Sequence, residues 1–259
     1  MKRLRIRMHP VIVAVALVVT GSLVLGQNQP SGQPNLDSRT ARILSEMGAY
    51  LSSAGEFTFQ AQLNYDAVKA DGQKILFGAR NRVWVRRPDR MLADYDGDER
   101  RSRVLFNGRT ITVYDLERNV YAVTEVPAGL DNALDFVFET YGFSVPIADF
   151  IYKDPDQVLL ENVENGYYVG RHPVDGVPCH HLAFTQEEID WQIWIEDGPQ
   201  PVPRKLVITF KSRPGSPQYN ARIHDWDFSP RLSERFFEFH PPADAGAIEF
   251  LSVQFVEEK

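Results

Sequence analysis

Residues Phe57 to Ala67 read F-T-F-Q-A-Q-L-N-Y-D-A, apolar at all six odd positions and polar at all five even ones. Successive side chains of a β-strand point to opposite faces, so this stretch has one dry face and one wet face. Looser versions of the pattern recur downstream, and a chain built from such strands makes a sheet whose apolar side must be covered or filled. What fills it is the question of function.

The pattern continues as strand-like runs at 57–68, 73–87, 90–95, 101–106, 109–115 and 119–126, separated by short turns. Asp71-Gly72, Asp96-Gly97 and Asn107-Gly108 mark those turns, and Asn107-Gly108 sits between R-S-R-V-L-F and R-T-I-T-V-Y as a two-residue hairpin requires. This half is predicted to be antiparallel. Leu130 to Tyr141 then changes period, placing Leu130, Leu134, Val137, Phe138 and Tyr141 on one helical face, and a short helical piece is expected over Val145–Tyr152. Strands resume at 158–164, 167–172, 177–185, 190–196, 204–211, 218–228 and 248–256, with turns expected at Asn165-Gly166, Asp175-Gly176 and Asp197-Gly198. A single sheet of about a dozen strands must curl strongly or close.

Three segments follow from local composition. Met1 to His9 carries Lys2, Arg3, Arg5 and Arg7 with no acid, and Val11 to Leu25 is apolar apart from Thr20, Gly21 and Ser22, so residues 1–26 read as a signal peptide cut near Gly26. An uncleaved anchor is the alternative, since about 15 apolar residues are short for a span that needs about 20. Residues 27–36, polar with Pro and Gly, read as a linker, and 37–259 as one domain. That domain opens with a helix capped by Asp37 or Ser38, with an apolar stripe of Ala41, Ile43, Leu44, Met47 and Leu51 that Gly48 weakens and Gly55 ends.

Loss of residues 1–26 leaves 24 Lys+Arg against 35 Asp+Glu, a formal charge of about −11. An acidic exported chain without a basic patch is a poor partner for nucleic acid. Arg80-Asn81-Arg82 and Arg86-Arg87 lie on an alternating strand and read as a solvated sheet face. Cys179 is the only cysteine, so no internal disulfide forms, and a buried thiol is expected.

Residues with catalytic or metal-binding chemistry are few and badly placed. In a strand, Cys179 and His181 share a face and His180 points away, so the adjacent histidines do not form a pair of ligands, although Cys179 and His181 could with a distant third group. Asp190 and Glu196 stand about 20 Å apart along one strand and are no acid–base pair. No G-x-S-x-G elbow and no phosphate-binding glycine loop occurs. The chain is read as a non-enzyme with no cofactor and no metal.

L-F-N-G-R-T-I-T-V-Y-D-L-E-R-N-V-Y-A-V (Leu105 to Val123), with the export segment before it and the helical interruption after it, resembles the periplasmic lipoprotein-carrier (lipoprotein localisation factor) superfamily. Within it, C-H-H-L-A-F (Cys179 to Phe184), D-W-Q-I-W-I-E-D-G (Asp190 to Gly198), P-R-K-L-V-I-T-F-K (Pro203 to Lys211), P-Q-Y (Pro217 to Tyr219) and P-P-A-D-A-G (Pro241 to Gly246) resemble a family of predicted periplasmic proteins of unknown function. The resemblance implies an α+β, mainly β fold: an incomplete antiparallel barrel of about eleven strands around a cavity plugged by amphipathic helices. It also implies acyl chains of lipids or lipoproteins as ligands, and a latching arginine, for which Arg80 is the candidate.

A periplasmic, non-enzymatic binder of an apolar ligand is therefore the first expectation. Phe57, Phe59, Leu63 and Tyr65 would line its concave wall, followed by Phe77, Val83 and Val85 on the next strand. Trp191, Ile193, Ile195, Leu206, Ile208 and Phe210 would complete the wall, with Leu134, Phe138 and Tyr141 on a lid. Membrane contact would pass only through the ligand or an uncleaved signal. The alternative is an envelope sensor that recognises a protein partner, and a hydrolase or metal enzyme built around Cys179 and His181 stands third.

Overall fold

The computed structural model describes residues 34–142 and 145–250, so the expected export segment, the end of the chain and most of the strand expected over 248–256 lie outside the described residues. Among the described residues, thirteen strands form one open sheet. They are β1 (Asn35–Leu36), β2 (Glu56–Val68), β3 (Lys74–Arg86), β4 (Arg90–Gly97), β5 (Arg101–Phe106), β6 (Thr110–Asp115) and β7 (Val120–Glu125), then β8 (Asn165–Arg171), β9 (Cys179–Thr185), β10 (Ile189–Glu196), β11 (Pro203–Phe210), β12 (Gln218–Asp227) and β13 (Gly246–Ile248). Helix α1 (Ser38–Ser53) precedes β2, and α2 (Leu130–Tyr141), a 3₁₀ turn (Pro146–Ile151) and α3 (Pro155–Leu160) lie between β7 and β8.

The spatial order is β1-β8-β9-β10-β11-β12-β2-β3-β4-β5-β6-β7-β13. Each half of the chain is an antiparallel meander, and the halves join where β12 pairs with β2, Tyr219 opposite Tyr65 and Ala221 opposite Leu63. This is the mainly-β, unclosed half-barrel expected, with two more strands than anticipated. The extra pair are short parallel strands at the two edges, β1 on β8 and β13 on β7. Both blunt an edge that would otherwise offer unpaired backbone groups.

Topology also dictates where the helices go. β7 and β8 sit near opposite edges of the sheet, ten strand spacings apart, or roughly 48 Å if the sheet were flat. The segment joining them must cross the concave side, and it carries α2, the 3₁₀ turn and α3. Ile111 of β6 and Leu182 of β9 thereby belong to one core with Ile43, Leu44, Met47 and Leu51 of α1.

Local details correct several expectations. Asn35–Leu36, assigned to the linker, pair as β1. Residues 158–164 are not a strand: Pro155 opens α3, whose Leu159 is buried, and a three-residue apolar run does not distinguish helix from strand. Asn165-Gly166 is the start of β8 rather than a turn, and a Cβ on Gly166 would stand 2.6 Å from the Phe184 ring, so the glycine makes room for that ring. Asp175-Gly176 is the tight turn expected, both residues at positive φ between Val174 and Val177. The β5–β6 hairpin is displaced by one residue, with Phe106 opposite Ile111 and the positive φ at Gly108 as first central residue.

The outer face is drier than the alternation implies. After β12 the chain runs back across β3 to β5, where Phe237 packs on Leu92 and Leu105, and Arg86 and Arg90 both grip Glu234. A second outer cluster holds Cys179, Val174, Trp194 and Val207. Burial pushes the Cys179 thiol up to about 11, which keeps it protonated.

Candidate ligand-binding site

Most of the predicted wall is present and dry. Phe57, Phe59, Leu63, Val83, Val85, Trp191, Ile193, Ile195, Leu206 and Ile208 all face the concave side and are buried against α1 and the crossing segment. Tyr65, Phe77 and Phe210 are half-buried and mark one end of the wall. There the Tyr65 hydroxyl donates to Glu99 at 2.7 Å, the Tyr95 hydroxyl donates to Tyr65 at 3.4 Å, and the guanidinium of Arg213 lies 4.2 Å from the centre of the Phe210 ring. In this closed arrangement the wall is core. A pocket of about 440 Å³ opens elsewhere, between α1 and the turn after β10, and its lining of Arg42, Glu46, His180, Glu196 and Asp197 is polar.

The cover is seated unevenly. α1 contributes a fully buried stripe and is held at its start by Asp37, whose carboxylate accepts from the Thr40 and Tyr168 amides at 2.9 Å each. These bonds hold the Asp37 carboxyl below the usual range in spite of its desolvation. α2 differs. Only Leu130 and Ala133 in its first turn are buried, whereas Leu134, Val137 and Tyr141 are half-buried and Phe138 is 55% exposed. An apolar helical stripe normally closes on the core along its length; here it closes at one end. Tyr141 at the other end meets the Phe250 ring, with centroids 4.9 Å apart, and shares a hydrogen bond of 3.0 Å with Thr124.

Polar ties join α2 to the rest of the lid. The Lys153 amide donates to Asp131, and the Tyr152 hydroxyl donates to Asp135 at 2.8 Å. Arg87, just past β3, donates to the carbonyls of Ile151 and Tyr152 and has its guanidinium 5.6 Å from the centre of the Phe57 ring. Arg80, the expected latch, points the other way: it stands exposed on the outer face, 3.2 Å from Asp96. Parity explains the difference. Inward residues of β3 are odd-numbered, so an even-numbered arginine faces solvent, whereas Arg87, which in the sequence reads with Arg86 as one solvated patch, turns to the lid.

Inside the lid, desolvation and the nearby Glu161 charge push the Asp149 carboxyl up to about 7. Burial holds the Tyr219 phenol well above its ordinary range, and the Tyr95 and Asp149 charges push it the same way. Tyr219 Oη and Trp191 Nε1 are both buried with no hydrogen-bond partner among the described residues.

The histidine cluster lies on the opposite face. His181 stacks on Trp194 with centroids 3.9 Å apart, and its two ring nitrogens meet His172 and Gln192 at 2.9 Å each. Desolvation lowers its proton affinity. Among the described residues no group of three His, Cys, Asp or Glu side chains is arranged to hold a metal ion.

A family model described as "Predicted periplasmic protein (DUF2092)" matches residues 40–251. No curated protein matches the chain. Among solved structures, similarity is found to an uncharacterised conserved protein from Thermus thermophilus, at 9% identity and a TM-score of 0.48 over 81% of this chain and 98% of that one. LprF from Mycobacterium bovis aligns at 12% identity and a TM-score of 0.45, covering 83% of this chain and all of that one. A LolA superfamily protein from Nitrosomonas europaea aligns at 12% identity and a TM-score of 0.34, over 77% and 98%.

Proposed function

Since the chain belongs to this family of predicted periplasmic proteins, we propose that it is an exported, non-enzymatic protein that takes an apolar ligand, such as a lipid or acyl chain, against the concave wall of its half-barrel. The observation that carries this reading is the uneven seating of α2, with Leu130 and Ala133 buried and Phe138 open. A lid that closes by its first turn can swing away at the other end while α1 keeps the sheet's remaining core intact. Lifting it uncovers aromatic and aliphatic wall, and an apolar chain laid there regains the burial lost, at about 25 cal/mol per Å² of apolar surface.

The rest of the molecule is consistent with this assignment. Export with a cut near Gly26 would deliver the domain to the compartment the family description names, and the acidic mature charge leaves nucleic acid aside. The resemblance read from the sequence also supports an acyl ligand.

Purification from the native envelope followed by native mass spectrometry and organic extraction tests the reading. A co-purifying lipid or acyl species in stoichiometric amount is expected. A chain that emerges empty and takes up no apolar dye would overturn it.

A further inference from the structure

The concave wall contains a row of residues aligned across six strands: Phe184, Trp191, Ile208, Tyr219, Tyr65 and Phe77 are consecutive register partners. Two members carry hydrogen-bonding groups that are sealed from water and unpaired. Trp191 is 3% exposed and Tyr219 5%, and neither Trp191 Nε1 nor Tyr219 Oη has a partner among the described residues. The indole N–H can only donate, and the phenol can donate. Buried donors are almost always paired, because leaving one unpaired forfeits its hydration without return.

Both stand on the wall that the lid covers, flanking Ile208 on adjacent strands. The indole ring is held flat on Phe184, with centroids 3.9 Å apart and planes at 12°. The Tyr95 hydroxyl meets that of Tyr65, the register partner of Tyr219, and the Tyr95 ring carries Arg100, whose guanidinium lies 5.0 Å from the ring centre and whose Nε, like that of Arg87 beside the lid, is a buried donor with no partner among the described residues. Asn81, whose Oδ1 is also unpaired, lies two inward positions along β3 from Phe77 and outside the row.

We propose that Trp191 and Tyr219 form an acyl-carbonyl subsite, where the carboxyl, ester or amide oxygen at the head of a long-chain ligand accepts hydrogen bonds from the indole N–H and the phenol O–H. The subsite rests on the reading of the half-barrel as an apolar-ligand binder and specifies its ligand as a carbonyl-headed chain rather than a plain hydrocarbon. A carbonyl oxygen has two lone pairs and suits a wall that offers donors. Arg100 distinguishes the two sources of such a carbonyl, because a free carboxylate gains from a neighbouring cation and a neutral ester does not.

The test is displacement of the neutral dye N-phenylnaphthylamine from the purified protein by dodecanoate, methyl dodecanoate and dodecane, which share one chain length. At least one of the two carbonyl compounds is expected to bind about tenfold more tightly than dodecane, the worth of roughly one net hydrogen bond. Tyr219→Phe removes one donor and keeps its ring, so dodecane affinity and thermal midpoint are expected to hold while the carbonyl preference falls to within about threefold. Arg100→Met weakening only the acid assigns a free fatty acid, and no effect on either compound assigns an ester or amide. Equal binding of all three ligands, or a full preference that survives Tyr219→Phe, would each overturn the subsite. Failure of all three ligands to displace the dye would overturn the binder reading with it.

Discussion

The guanidinium of Arg87 donates to the backbone carbonyl of Tyr152 at 2.7 Å, and its second terminal nitrogen donates to that of Ile151 at 2.9 Å. One side chain at the end of β3 therefore holds the segment that crosses the concave side, in a setting where desolvation lowers the arginine's proton affinity and the Asp131 and Asp154 charges restore part of it. Arg87→Met leaves two carbonyls without their donor, a loss of about 1–3 kcal/mol. Hydrogen exchange over 130–153 is expected to accelerate tenfold or more while β2 and β10 stay protected. Exchange that is unchanged in the lid, or raised equally everywhere, would refute the arrangement.

Gly48 is the contact point of α1 and α3, since an added Cβ would stand 2.7 Å from the Cβ of Asp156. Glycine to alanine within a helix ordinarily gains close to 1 kcal/mol. Here the sign reverses, and Gly48→Ala is expected to lower the thermal midpoint by several degrees. Asp156→Gly in the same chain should restore most of that loss, and a stabilised Gly48→Ala protein would show that the helices do not meet there.

Asp149 sets a pH dependence. Its carboxyl sits near 7 when folded against an ordinary 3.8, so the folded state holds the proton more tightly than the unfolded chain does. The stability it contributes is fully present below 3.8 and is lost as pH rises to about 7. Asp149→Asn should raise the unfolding midpoint relative to the parent at pH 8 much more than at pH 4. A pH-independent difference between the two proteins would contradict this.

The sequence pattern places both Phe59 and Phe138 on the expected ligand surface, and the structure separates them. Phe59 is fully buried, so Phe59→Ala should cost about 3–5 kcal/mol whether or not a ligand exists. Phe138 is more than half exposed, and Phe138→Ser is expected to leave the denaturant midpoint nearly unchanged while weakening apolar dye uptake several-fold. A large stability loss at Phe138 would place it in the core instead.

The sheet was legible because alternation is a local property. The odd-numbered residues from Phe57 to Tyr65 face inward, as their spacing requires, and Leu130–Tyr141 begins and ends where the helical period does. The errors arose where two local readings compete. Val158-Leu159-Leu160 suits a strand or a helix, and packing on α1 selects the helix; Asn165-Gly166 has turn composition, yet the Phe184 ring requires a glycine within the strand. At the lid, Arg80 and Arg87 are chemically alike, and only their parity and the position of the Ile151 and Tyr152 carbonyls assign one to solvent and the other to the core.

The order of the residues alone predicts an export segment and an acidic domain without catalytic motifs, and it determines a long antiparallel sheet with one dry face, because charge, composition and period-two alternation need no knowledge of distant contacts. The tertiary structure decides what meets that face. The β12–β2 pairing joins the two meanders, the crossing segment is thereby laid over the wall, and Tyr219 meets Tyr65, more than a hundred residues away, so that the row from Phe184 to Tyr219 continues into β2 and β3. Such contacts depend on chain closure, which no local pattern encodes.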